Sequence, residues 1–341
     1  MKILHSWIDV EGSRYKKNQK WFLTMTLLSI LAAKKSFGNI HLVTTKKGKK
    51  LFEKLQFPYD SITTELEGKE YSSDAYSLGK IDAYILQDEP YLHIDNDTFL
   101  FEPRIIPQYK RFSFGFPDIS YPLTVEKFEF LHKTYLQPYT KIKDYFDEVF
   151  WKQTNFDVIP NCSIMGGHDF QTIKEVYTSI KELYHYNRED ISSKTGYTSH
   201  LLEQFLFFPM AGALKSKGSD KVENNHKWIN ENSYIWSQDL PLELEYGVCS
   251  IHGDKLTDYN GTLQNYKGIK TYCFDRNLLL LKDNFFGGFC HLGHYSNDVI
   301  IRNIFFEKLK KYYDCDKYVK NINKLHAVKE EWESPIFNTL F

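Results

Sequence analysis

Asp95 and Asp97 stand two residues apart in the run HIDNDTFLF, residues 93–101. The apolar residues around them read as a strand, yet aspartate is disfavoured in strands and rarely buried without a partner. In extended chain, residues two apart project to the same face, so the two carboxylates point together and Asn96 points the other way. Carboxylates this close repel unless positive charge lies between them. Mg²⁺ or Mn²⁺ meets that need, because hard oxygen ligands suit both ions and one or two carboxylates can hold them against substrate phosphates. The competing reading is a strand-to-loop corner in which Asp97 makes an Asx turn or caps a helix. His93 shares the parity of the acids and reads as a core or hydrogen-bonded histidine.

The elements before the pair decide where it stands. KILHSWI (2–8) reads as a strand, Gln19–Lys34 as a helix and NIHLVTT (39–45) as a second strand. A short helix over Lys47–Leu55, a segment near Ile62 and a helix around Asp74–Gln87 lead into YLHI. Strands alternating with helices imply βαβ units and a mostly parallel central sheet flanked by helices. Ligands of such sheets bind outside the carboxyl ends of the strands. Asp95 and Asp97 emerge at that edge, and the first strand delivers His5, Ser6 and Trp7 to it. Trp7 reads first as a core side chain.

Further along, 111–116 and 156–167 read as strands, and 168–186 and 199–211 as helices. Residues 212–232 are polar and loop-like, 244–251 and 268–274 strand-like, and 297–313 helical. No shift in composition marks a boundary. The expected organisation is one α/β domain over residues 1–300 with a helical C-terminal extension, 301–341.

Composition narrows the function classes. The chain has 341 residues and a formal net charge of -1, which argues against a nucleic-acid-binding protein. The cluster KKGKK (46–50) reads as a helix surface. Five scattered cysteines without metal-type spacing point to reduced thiols in a cytoplasmic setting. WFLTMTLLSILAA (21–33) is apolar, but shorter than the roughly 18–20 residues of a membrane helix, and its charged flank begins too late for a signal peptide. A buried helix is expected there, with no transmembrane segment and at most peripheral membrane contact.

The run GKIDAYILQDEPYLHIDNDTFLF (79–101) resembles the donor-site segment of GT-A glycosyltransferases of families 8 and 32. There a helix carrying Lys or Arg leads into a strand ending in Asp-x-Asp; Lys80-x-Asp82 followed by Asp95-Asn96-Asp97 is similar to the family-32 arrangement. The resemblance implies a GT-A-like, Rossmann-like fold with a nucleotide-binding half (1–100) and an acceptor and sugar half (101–300). It implies that Asp95 faces the ribose and metal, that Asp97 ligates the metal, and that Lys80 and Asn96 lie near the donor. His5, Ser6 and Trp7 would meet the nucleotide base.

Three later segments extend the resemblance. IPNCSIMGG (159–167) is similar to the family-8 strand that lines the sugar pocket, which makes Asn161 a candidate contact; Gly166 and Gly167 permit close backbone approach. LLEQF (201–205) is similar to an acidic-Gln element whose side chains approach the sugar, so at least one of Glu203 and Gln204 should face inward, with Gln204 the catalytic candidate. GGFCHLGHYSND (287–298) resembles a His-x-x-Gly-x-x-Lys segment whose histidine completes the metal site. Its spacing is one residue short and the lysine is missing. His291 and His294 therefore both stand as third-ligand candidates, His291 favoured because it ends the apolar run; Lys282 and Arg302 are the nearby cations.

The implied function is a hexosyl-type, retaining, Mn²⁺- or Mg²⁺-dependent glycosyltransferase. It would move a sugar from a nucleotide-diphosphate sugar, a UDP-sugar first, to a hydroxyl of a glycan or lipid-linked acceptor in bacterial surface glycan synthesis. Two rivals remain at this level. A haloacid-dehalogenase-like phosphatase also uses Asp-x-Asp with Mg²⁺, although its pattern is D-x-D-x-T and Thr98 follows Asp97 directly. A non-catalytic, transferase-like carbohydrate-binding or scaffold protein is the other.

Overall fold

The computed structural model describes residues 1–9, 19–69, 71, 75–100, 105–115, 117–118, 159–186, 199, 201–207, 210–211, 214, 231–235, 263–266, 269–272, 289–291, 310 and 313–327. The first half alternates as expected: β1 (Lys2–Ser6), α1 (Gln19–Phe37), β2 (His41–Val43), α2 (Lys46–Leu55), β3 (Ser61–Thr63), α3 (Ser77–Ile85) and β4 (Tyr91–Ile94). Short strands follow: β5 (Thr98–Leu100), β6 (Phe112–Phe114), β7 (Pro117–Asp118), β8 (Ile159–Pro160) and β9 (Ile164–Gly167). After α4 (Phe170–Tyr186) come a π-helical turn over Leu201–Phe205, then β10 (Ser233–Ile235), β11 (Leu263–Tyr266), β12 (Ile269–Tyr272), β13 (Phe289–His291) and α5 (Asp316–Ala327).

The central sheet has seven strands in the order β10-β6-β9-β4-β1-β2-β3. All its pairings are parallel except those of β9, which runs against both β4 and β6. The expected mixed α/β class with a mostly parallel sheet flanked by helices is therefore observed. β9 fits between its neighbours because it ends in two glycines. A Cβ on Gly166 would come 2.1 Å from the Tyr91 carbonyl oxygen, and one on Gly167 2.3 Å from that of Arg111. Their φ values of 158° and 137° also belong to the region that glycine alone visits readily. The close approach anticipated at this pair is thus between strands of the sheet.

Alternation along the strands divides the core. Ile3, Leu92 and Ile94 join α1, α2 and α5 on one face; Leu4, Tyr91 and Met165 join α3, α4 and the π turn on the other. α1 is the apolar run 21–33, buried from Trp21 to Ile30, as a helix apolar on all sides should be. No helix among the described residues is long and apolar enough to cross a membrane. The hydroxyls of Thr24 and Thr26 donate back to Lys20 and Phe22 carbonyls, which satisfies them inside the helix.

Boundaries moved where packing outweighed periodicity. The helix expected around Asp74–Gln87 spans Ser77–Ile85, and the helix expected over 199–211 carries the π turn. The strand expected over 244–251 lies outside the described residues, as does most of the helix expected over 297–313. In the C-terminal extension Cys315 and, from α5, Tyr318, Val319 and Ile322 pack back onto the core of α1 and α2.

Candidate active site

The acid pair stands where the sheet ends. β4 closes at Ile94, Asp95 to Asp97 turn, and β5 begins at Thr98. The turn is closed by Thr98 N–H donating to the Asp95 carbonyl at 2.9 Å. It is fastened to the next strand by Asp95 N–H donating to the Ser163 carbonyl at 2.8 Å. Ser163 is in turn held by Asn161, whose side-chain oxygen accepts its N–H at 2.9 Å, an Asx-type turn. Asn161 is buried, and it steadies the acid turn at one remove.

Lys80 is the cation that the described residues bring to the site. From α3 its ammonium reaches Asp95 Oδ1 at 2.7 Å and Glu203 Oε1 at 2.5 Å. Glu203 is 4 % exposed and also accepts from the Tyr84 hydroxyl at 2.8 Å. Its carbonyl oxygen accepts from the Tyr177 hydroxyl at 2.8 Å. Burial alone would lower the Lys80 pKa, but the charges of Asp95 and Glu203 and its hydrogen bonds to both hold it well above the usual lysine value. Two carboxylates share one ammonium. Burial, followed by the Asp95 charge, raises the Glu203 carboxyl against the pull of Lys80.

The alignment of Lys80 with Glu203 has its own clamp. Ser77, at the start of α3, donates its N–H to Ser199 Oγ at 3.2 Å and its hydroxyl to the Ser199 carbonyl at 3.0 Å. The two serines join the first turn of α3 to the segment just before the π turn. Such turns insert an extra residue into a helix and recur at functional sites. Within LLEQF it is Glu203 that meets Lys80, while Gln204 is half-buried. The serine pair and the choice of Glu203 over its neighbour were missed from sequence, where no local signal couples segments so far apart. Asp82 turns instead to Lys69 at 3.3 Å and to Lys181, and the Tyr71 hydroxyl donates to it at 2.9 Å. It ties α3 to α4.

The end of β1 divides between two faces. Ser6 Oγ and His93 Nε2 are 2.9 Å apart on the α3 side, and the Ser6 carbonyl accepts from Asn96 Nδ2 at 3.3 Å. His93 is buried beside the Tyr84 ring; burial first, then Lys80 and His5, hold its pKa well below the usual histidine value. His5 points to the α1 side. Ser29 donates its single hydroxyl proton to the Thr98 carbonyl at 2.5 Å, so its contact with His5 Nε2 at 3.1 Å must be donated by the imidazole. His5 Nδ1 then accepts from the Tyr59 hydroxyl at 2.9 Å. Burial lowers the His5 pKa to about 3, so the ring stays neutral and the chain Tyr59–His5–Ser29 grips the start of β5. Trp7 is 9 % exposed, edge-on to Phe52 at 5.6 Å and laid over Gly48, where a Cβ would come within 2.6 Å of its ring. Its position is that of a core side chain.

Hard donors suited to a divalent cation are present on the turn: Asp95 is partly exposed and Asp97 is buried, with 8 % of its surface exposed. Asn96 Oδ1 and Thr98 Oγ1, both buried, have no hydrogen-bond partner among the described residues, so the turn presents further polar atoms beside its carboxylates. No three His, Cys, Asp or Glu side chains cluster as a metal site among the described residues. The backbone of His291 is placed by the antiparallel pairing of β13 with β5, opposite Thr98. His294, Lys282 and Arg302 lie outside the described residues.

A family model described as a family of unknown function (DUF6734) matches residues 1–247. The chain belongs to this family. The match takes in the acid turn, Lys80 and the π turn with Glu203. No curated protein matches the sequence. Solved structures that align along the DUF6734 chain include two glycosyltransferases. One is the galactosyltransferase LgtC in complex with donor and acceptor sugar analogs, at 10% identity and a TM-score of 0.41, covering 97% of this chain and 99% of LgtC. The other is the glycosyltransferase GlyE in Streptococcus pneumoniae TIGR4, at 10% identity and a TM-score of 0.41, covering 96% of this chain and 63% of GlyE.

Proposed function

We propose that this chain is a metal-dependent glycosyltransferase of the GT-A type, transferring a sugar from a nucleotide-diphosphate sugar to an acceptor hydroxyl. The observation that carries the reading is the register of β13 on β5. It sets the backbone of His291 opposite Thr98, one residue beyond Asp97. Two acids and a distant histidine segment thus meet at the carboxyl edge of the sheet. That supports the order of motifs on which the resemblance to families 8 and 32 rests.

In this reading Asp95 and Asp97, with His291 or His294, would hold Mn²⁺ or Mg²⁺, whose charge stabilises the departing nucleoside diphosphate. The chain's own residues bind and orient the rest. Lys80 pairs with Asp95 and aims it, and together with Glu203 offers a charged pair to sugar hydroxyls. Ser6 and Asn96, joined through the Ser6 carbonyl, line the side where the nucleoside would lie. Asn161 fixes the turn that carries the Asp95 amide contact, and Gln204, beside Glu203, is the remaining polar candidate on the sugar side. A UDP-sugar donor, retention of configuration, a glycan or lipid-linked acceptor and a bacterial surface-glycan role extend the same proposal.

The test is a thermal-shift screen of nucleotide-diphosphate sugars with and without Mn²⁺. A ligand that binds only the folded state raises its stability by mass action. The expected result is a rise in Tm for one nucleotide class that needs the metal and disappears in Asp97→Ala. No shift with any nucleotide sugar, with or without metal, would overturn the proposal.

A further inference from the structure

α2 and α5 share one layer on the face of the sheet that also holds α1. The two helices meet where Asn321 Nδ2 donates to the Leu55 carbonyl at 3.1 Å. α2 buries Gly48, Phe52 and Leu55, which leaves Lys46, Lys50 and Lys54 exposed in a row along its outer side. α5 buries Tyr318, Val319 and Ile322 and so turns Lys317, Lys320 and Lys324 to solvent.

Together the two helices carry eight lysines against two acids, Glu53 and Asp316, in a chain whose formal net charge is -1. Lys47 is paired with Asp9, and Lys49 lies 3.8 Å from Glu53. Lys46, Lys50, Lys54, Lys320 and Lys324 make no ion pair among the described residues. The opposite layer differs: α4 exposes Lys174 beside Glu175 and Glu182, a mixed surface of the ordinary kind. Among the described residues this basic excess belongs to the layer of α2 and α5 and departs from the average of the chain.

We propose that this lysine-faced layer docks on an anionic lipid bilayer. Exposed lysines are compact point charges on long stems, and each one near a negatively charged membrane surface adds to the attraction. The two rows hold neither arginine for bidentate phosphate contacts nor an exposed aromatic ring for base stacking, the groups that a nucleic acid partner would use. α2 begins where β2 ends, at the edge of the sheet that carries Asp95 and Asp97. On the glycosyltransferase reading this presents the site to a lipid-linked acceptor, but the docking surface stands without that reading.

The experiment is co-sedimentation of the full chain with vesicles of phosphatidylcholine alone and of phosphatidylcholine with phosphatidylglycerol. The protein is expected to pellet with the anionic vesicles at low salt and to be released at high salt. Lys46→Glu/Lys50→Glu/Lys54→Glu, and separately Lys317→Glu/Lys320→Glu/Lys324→Glu, should each weaken partition roughly tenfold or more. Lys174→Glu should leave it unchanged, and circular dichroism checks that the variants fold. Failure of the wild type to pellet, equal pelleting on neutral vesicles, or triple variants that pellet like the wild type would overturn the proposal; so would duplex DNA binding without vesicle binding. A protein that binds vesicles yet shows no thermal shift with nucleotide sugars would keep the surface and lose the transferase reading.

Discussion

The ammonium of Lys80 lies 2.5 Å from the buried carboxylate of Glu203, and the same nitrogen lies 2.7 Å from Asp95. One cation therefore joins α3, the acid turn and the π turn. Removing one partner of a buried ion pair strands the other, and the usual cost is roughly 3–5 kcal/mol. Lys80→Met should destabilise the protein by about 3 kcal/mol, toward the lower end because Asp95 is partly exposed. Lys80→Met/Glu203→Leu should recover part of that loss, since it removes a stranded charge as well. Urea denaturation of the wild type, the two single variants and the double variant measures the coupling. Additive losses would show that the pair does not act as a unit.

The raised Glu203 carboxyl has a consequence for pH. A raised folded value means that the folded protein keeps this proton to a higher pH than the unfolded chain does. The cost of ionising Glu203 is absent below the ordinary carboxyl value of 4.5 and grows as pH rises through the raised folded value. The wild type should therefore lose stability relative to Glu203→Gln across that window, by at most about 1.4 kcal/mol per pH unit. Lys80, also raised, contributes stability that is present below 10.5 and lost only above it, so it does not obscure the window. Urea midpoints of the two proteins from acid to neutral pH report the difference. Parallel curves would mean that Glu203 ionises normally.

Ser29→Ala removes the hydroxyl that donates to Thr98 and accepts from His5. A buried N–H and a carbonyl lose their partner together, at a cost of about 1–3 kcal/mol. Because Thr98 opens β5, the change should also loosen the acid turn. The expected outcome is a lower urea midpoint together with faster amide exchange at Thr98, whose N–H closes the turn. A lower midpoint with unchanged exchange would confine the effect to the core.

Gly167→Ala places a Cβ 2.3 Å from the Arg111 carbonyl oxygen, a backbone atom that cannot move without parting β6 from β9. Gly38 has φ 79° with nothing within 4 Å of an added Cβ, so Gly38→Ala meets only the strain of left-handed backbone, about 1 kcal/mol. Gly167→Ala should cost several times as much or abolish soluble expression. Thermal denaturation of the two variants decides it, and equal losses would show that β9 can shift to make room.

The parts legible in the sequence were those with short-range signals. Alternating apolar runs set β1, β2 and β4, and the position of Asp95 and Asp97 after YLHI located the sheet edge; the parity expected of an extended chain does not apply to them, because the backbone turns over residues 95–97. The buried helix α1 followed from an apolar run with no polar face. Trp7 was ambiguous because an aromatic at a strand end can face a ligand or a core; only Gly48, whose missing Cβ makes room for the ring, decides between them. Lys80 and Glu203 are joined through Ser77 and Ser199, a contact between segments with no shared periodicity. The π turn was equally silent, because LLEQF has the same apolar spacing in an ordinary helix.

The most direct test of the central claim is release of UDP from UDP-sugars by the purified chain with Mn²⁺, compared with Asp97→Ala and with metal removed by chelation. Slow, metal-dependent release is expected, falling roughly a hundredfold or more in Asp97→Ala, the scale of a lost electrostatic stabiliser. Release that survives both chelation and Asp97→Ala, or phosphate release from simple phosphomonoesters in its place, would contradict it.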